Sequence, residues 1–129
     1  METTTPPLES IARAFGLRLV VRFGSTSTGR ARPGSDQDIA VLPAQRLSLE
    51  RQAELVVALG DFLGGPDVDL TVLNGDDGLL LFRVASEGAA LYEETPTTFL
   101  QFRSYAARRY DDTAKYRAAT SRWLEVRLG

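Results

Sequence analysis

Phe23-Gly24-Ser25-Thr26-Ser27-Thr28-Gly29-Arg30-Ala31-Arg32-Pro33-Gly34-Ser35-Asp36-Gln37-Asp38-Ile39-Ala40-Val41-Leu42 lies between two apolar runs. It leaves the first run through Gly, Ser and Thr and enters the second through two aspartates. That order predicts a strand, a tight turn sized for a phosphate, and a second strand carrying acid. Glycine directly after a β-prone run lets the backbone turn sharply and approach a ligand, because it has no Cβ. If residues 25–30 open a short helix, its free N–H groups and dipole face whatever sits over Gly24, and a triphosphate fits there.

Asp36 and Asp38 are two apart, so in a strand both side chains leave the same face. Two carboxylates so placed repel one another unless they share a cation. A hard divalent ion suits them, and magnesium is commonly held by one or two carboxylates together with substrate phosphates. The chain has no His and no Cys. Metal chemistry here is therefore carboxylate chemistry, and disulfides, thiolate zinc sites and Cys nucleophiles are excluded.

Gly24-Ser25, ten intervening residues, then Asp36-x-Asp38 resembles the signature of the nucleotidyltransferase superfamily with the polymerase-beta-like fold. The small size is similar to that of its minimal members, the antitoxin halves of HEPN/MNT toxin–antitoxin pairs. The likeness runs from about residue 17 to residue 92 in order and character. It implies an α/β (α+β) nucleotidyltransferase fold: a small mixed sheet flanked by helices, with a long C-terminal helix. It also implies that Asp36, Asp38 and a third carboxylate, Asp69, hold two Mg2+ ions, and that Gly24 and Ser25 hold the β and γ phosphates of ATP. Asp69 would in addition help to activate the acceptor hydroxyl. Relatives often read Gly-Ser-x-Ala-Arg-Gly; here Thr28 stands where the arginine is expected, which removes a phosphate contact or a helix charge.

The remaining chain is consistent with one domain spanning 1–129. At 129 residues, 43% hydrophobic and 25% charged, it is long enough for a real core but leaves no room for a separate substrate domain. There is no apolar stretch near twenty residues and no secretion leader, so the expected address is cytoplasmic, with no membrane partner. A net charge of −2 gives no reason to expect direct nucleic-acid binding. From Phe99 onward there are seven Lys/Arg against three Asp/Glu, leaving eight against fourteen before it. The tail is basic and the half with the carboxylates is acidic.

Residues 1–7 read as a flexible lead. Apolar residues at Leu8, Ile11, Ala12 and Phe15 predict a helix closed by Gly16. Leu17, Leu19, Val21 and Phe23 alternate with Arg18, Val20 and Arg22, which predicts a strand with one face better buried. Asp36 to Leu42 is the next strand, stopped by Pro43. Residues 47–63 predict a helix capped by Ser48 and stopped by Gly64-Gly65. Residues 66–74 predict a strand with Val68, Leu70 and Val72 on one side and Asp67 and Asp69 on the other. A carboxylate in mid-strand is costly unless it meets solvent or a partner charge, and this singles out Asp69. Asp67, after Pro66, reads as a turn former.

Residues 77–87 predict a helix ending at Gly88, with Asp76-Asp77 as its capping pair, and 89–92 a short strand. Residues 97–128 predict one long helix whose basic side chains are a docking surface or a solvated face. Arg30 and Arg32 either clamp phosphates or stay solvated. Tyr105, Tyr110, Tyr116 and Trp123 read as packing or interface residues.

The resemblance implies AMP transfer from ATP onto a tyrosine of a cognate HEPN ribonuclease toxin, the partner that would supply the acceptor. Two other readings keep the same residues. One gives the site a small-molecule or RNA-end acceptor. The other makes the chain a non-catalytic antitoxin that binds and occludes its partner.

Overall fold

The computed structural model describes residues 7–24, 37–65, 67–74 and 77–111. The elements in chain order are α1 (Leu8–Phe15), β1 (Leu17–Phe23), β2 (Gln37–Pro43), α2 (Leu49–Phe62), β3 (Val68–Val72), α3 (Gly78–Glu87) and β4 (Ala89–Glu93). A further helix, α4, occupies residues 98–111. The strands form one sheet in the order β3-β2-β1-β4. β1 is antiparallel to both of its neighbours, whereas β2 and β3 are parallel and joined through α2. The sheet is mixed and flanked by helices, as expected. The part of the expected C-terminal helix beyond residue 111 lies outside the described residues, as do residues 1–6 of the lead.

Two apolar layers sandwich the sheet. On one face Leu8, Ile11, Ala12, Leu55 and Leu59 of α1 and α2 pack on Leu17, Val20, Ile39 and Val41. On the other, Leu81, Val84 and Ala85 of α3, with Phe102 and Ala106 of α4, pack on Leu19, Val21, Phe23 and Ala40. Phe82 and Tyr110 stack at 4.1 Å between ring centres and tie α3 to α4, so Tyr110 packs.

β1 corrects the expected pattern twice. Val20 and Val21 are both fully buried, because a central strand covered on both faces has no solvent side. Leu17 also leaves the company of Leu19, Val21 and Phe23. The register runs Leu17 to Pro43 and then Leu19 to Leu42, a bulge at Arg18 that sends Leu17 into the α1/α2 layer. Arg18 itself is exposed and bonds Glu94 at 3.1 Å.

Local signals set most boundaries. Gly16 has φ 65° and its N–H reaches the carbonyls of Ala12 and Arg13, ending α1. The Ser48 hydroxyl accepts from Arg51 N–H at 3.1 Å and the Asp77 carboxylate from Leu80 N–H at 3.1 Å, each satisfying a free donor of a first turn. Asp76 lies outside the described residues. Pro43 is the last residue of β2 and gives the sheet no donor to lose. A methyl group on Gly88 would overlap Val21 Cγ1 and the Val84 carbonyl, so the turn from α3 into β4 sits hard against β1. Among the described residues no helix is long and apolar enough to cross a membrane.

Candidate active site

β1 delivers Gly24 at its end, beside the start of β2. Gly24 has φ 77° and is buried. A methyl group placed on it would overlap Asp38 Oδ2 and lie 3.2 Å from Asp38 Cγ. Only glycine both accepts this backbone and leaves room for the carboxylate.

Asp38 sits in a three-strand register. Its partner across β1 and β2 is Phe23, and its partner across β2 and β3 is Asp69. Residues opposite one another on adjacent strands project to the same face, and parallel neighbours lie about 4.8 Å apart. Asp38 and Asp69 thus stand side by side on the face that carries Phe23, Ala40 and α3. Asp38 is half-buried and Asp69 exposed, so this end of the face opens to solvent. The Gln37 N–H donates to the Asp67 carbonyl at 2.8 Å and pins the mouth of β2 to that of β3. The Asp67 side chain is exposed, consistent with a backbone role.

Gly24, Asp38 and Asp69 are therefore brought together. Asp36 and Ser25 lie outside the described residues, as do Thr28, Arg30, Arg32, Tyr116 and Trp123. Among the described residues no three His, Cys, Asp or Glu side chains gather as a metal site. Within that limit the donor chemistry fits magnesium: two carboxylates in register, a chain without His or Cys, and a glycine whose missing Cβ leaves room for one of those carboxylates. A recess of about 610 Å³ lined by Leu42, Pro43, Arg46, Val72 and Asn74 lies at the opposite end of β2 and β3 and does not include the carboxylates.

Beneath the carboxylates, on the α1/α2 face, Arg22 Nε and Gln37 Oε1 are buried and have no hydrogen-bond partner among the described residues. Arg22 pairs with Ile39, which places Gln37 diagonally across the same strand pair. Alternation in the sequence assigns both residues to that face but says nothing of their missing partners.

The fold is an α/β domain with a mixed sheet, which sets an acid pair beside a glycine bend. The family model "Polymerase beta, Nucleotidyltransferase" matches residues 8–97, and the chain belongs to that family; it is a nucleotidyltransferase. Its solved neighbours narrow the comparison. A chain of a toxin-antitoxin crystal structure with AMP-PNP is 28% identical, with a TM-score of 0.74 over 95% of this chain and 99% of that one. A chain from the tri-AMPylated Shewanella oneidensis HEPN toxin in complex with MNT antitoxin is also 28% identical, with a TM-score of 0.66 over 91% and 92%. Spectinomycin adenyltransferase AAD(9) from Enterococcus faecialis, with ATP and spectinomycin, is 14% identical with a TM-score of 0.52, covering 85% of this chain and 64% of that one, a likeness of fold alone. No curated protein matches the sequence.

Proposed function

We propose that this chain is the antitoxin of a toxin–antitoxin pair and a magnesium-dependent protein adenylyltransferase, moving AMP from ATP to a tyrosine of a HEPN-type toxin and thereby silencing it. The observation that carries the reading is the register of Asp38 with Asp69 beside Gly24. Support for the partner comes from the near full-length likeness to chains of toxin–antitoxin complexes, one with AMP-PNP and one with an AMPylated toxin.

In this mechanism Asp36, Asp38 and Asp69 hold the metal ions. When bound, two magnesium ions neutralise charge on the phosphates and favour the attacking and leaving oxygens. Gly24 lets the backbone come close to the nucleotide tail, and Ser25 donates to its phosphates. Asp69 takes the proton of the tyrosine hydroxyl, the role that the resemblance to the nucleotidyltransferase superfamily implies for it. The tyrosine oxygen then forms a bond to the α-phosphorus, the bond from that phosphorus to the β-bridging oxygen breaks, and pyrophosphate departs with the electron pair. The acceptor tyrosine lies on the partner, whose surface completes the site. ATP and an RNA-cleaving partner place this work in the cytoplasm.

The test combines the chain, ATP, magnesium and the product of the neighbouring reading frame, then weighs that partner by mass spectrometry. Gain of whole AMP units, lost with Asp38→Asn and Asp69→Asn, is the expected result. Undiminished neutralisation by both variants, with no adduct on the partner, would establish occlusion instead.

A further inference from the structure

We propose that Arg83 of α3 binds the phosphate tail of the nucleotide. The role rests on the nucleotidyl-transfer reading above and adds to it a residue from outside the stretch 24–38.

α3 follows β3 and leads into β4 at Ala89, the register partner of Arg22. Its last turns therefore stand at the carboxylate end of the sheet, with Gly88 pressed on Val21. There the Arg83 guanidinium carbon lies 5.7 Å from the centre of the Phe23 ring. Phe23 is the residue directly opposite Asp38, on the same face. One strand spacing, about 5 Å, thus separates Asp38 from the side chain that Arg83 overlies.

Asp38 and Asp69 stand together, and Asp36 is two residues from Asp38 in the sequence. A polyphosphate entering beside them adds several negative charges. A guanidinium is the side chain best suited to hold phosphate oxygens, through a planar fork of donors whose charge persists at any working pH. Arg83 keeps Nε 3.3 Å from Glu87 Oε2, in a pair whose side chains are 55% and 39% exposed. Exposed pairs one helical turn apart are weak, so a nucleotide tail competes well for the fork. The pair also holds the guanidinium at this end of α3 before the ligand arrives.

The competing account has Arg83 merely laying its methylene stem along Phe23 with the head in water. Calorimetric titration of ATP and of AMP into the full chain, with magnesium and without any partner protein, separates the two. Arg83→Gln should weaken ATP binding by about tenfold, the loss of one charge-assisted contact, and leave AMP binding unchanged; Arg83→Lys should recover part of the loss. ATP binding by Arg83→Gln equal to wild type overturns the assignment. So does an equal loss for ATP and AMP, which would mark packing of the stem rather than contact with the tail. Both results leave the nucleotidyl-transfer reading standing, whereas a wild-type chain that binds no ATP would defeat that reading itself. Arg83 is exposed, and thermal melts confirm that each variant is folded.

Discussion

Gly24→Ala probes the site through its backbone, and Gly16→Ala is its internal control. Both glycines hold a left-handed backbone, with φ 77° and 65°. A residue with a Cβ pays about 1–2 kcal/mol there. The surroundings then differ: nothing lies within 4 Å of a Cβ on Gly16, whereas one on Gly24 overlaps Asp38 Oδ2. Gly16→Ala should therefore cost only the backbone term. Gly24→Ala should add about 1–3 kcal/mol for forced displacement of a packed neighbour, and it should move the carboxylate on which transfer depends. For a chain of this length each kcal/mol lowers the melting temperature by roughly 3–5 °C.

The contact itself is isolated by a double-mutant cycle. In an Asp38→Ala background the oxygen that a Gly24 methyl would strike is gone, so Gly24→Ala should cost little more than Gly16→Ala. Urea unfolding of wild type, both single variants and the double variant should give a coupling of at least about 1 kcal/mol, above the additivity expected of independent sites. Adenylyl transfer should fall sharply in Gly24→Ala and stay near wild type in Gly16→Ala. Additivity within about 0.5 kcal/mol, or full transfer by Gly24→Ala, would refute the claim that Gly24 is glycine in order to seat Asp38.

The other expectations can be checked with the same preparations. Asp38→Asn and Asp69→Asn should each abolish the rise in melting temperature that magnesium with ATP gives the wild type. Gly88→Ala should destabilise by about 2–3 kcal/mol in urea unfolding, since one of the atoms it meets is backbone and cannot rotate away. Gln37→Leu should raise stability by about 1 kcal/mol, because it removes a buried acceptor that lacks a donor; a loss of stability would mean that a water satisfies that oxygen. Asp77→Ala should cost about 1 kcal/mol through the lost cap of α3 and leave transfer unchanged.

Much of this architecture was legible in the residues. The helical spacing of Leu8, Ile11, Ala12 and Phe15, closed by Gly16, gave α1 to the residue. Ser48 and Asp77 announced two helix starts because a cap is a local bond between neighbours in sequence. The side on which Asp69 falls followed from simple alternation in β3. The bulge at Arg18 was not legible, because a bulge arises from pairing with β2 and leaves no mark in β1 alone. Burial of Val20 was missed for a related reason: a strand's place in the sheet is a tertiary fact. Neither the overlap awaiting a methyl on Gly24 nor the reach of Arg83 to Phe23 has any signal in sequence spacing, since each joins residues far apart in the chain.

The strand order explains why the acids can be tolerated at all. Two carboxylates in register work against a sheet, and this pair falls at the mouths of β2 and β3, where the sheet ends. The two apolar layers begin one residue further in, with Ile39 on one face and Ala40 on the other, both fully buried. β1 passes through the middle with five buried apolar side chains and emerges from that core at Gly24. Cohesion is thus concentrated in the central strand pair, and the repulsion is confined to a solvent-open end that a cation can relieve. Extending the acid pair one register step inward, to the Ala40 and Thr71 level, would put charge beneath α3, and no bound ion could offset that without opening the layer.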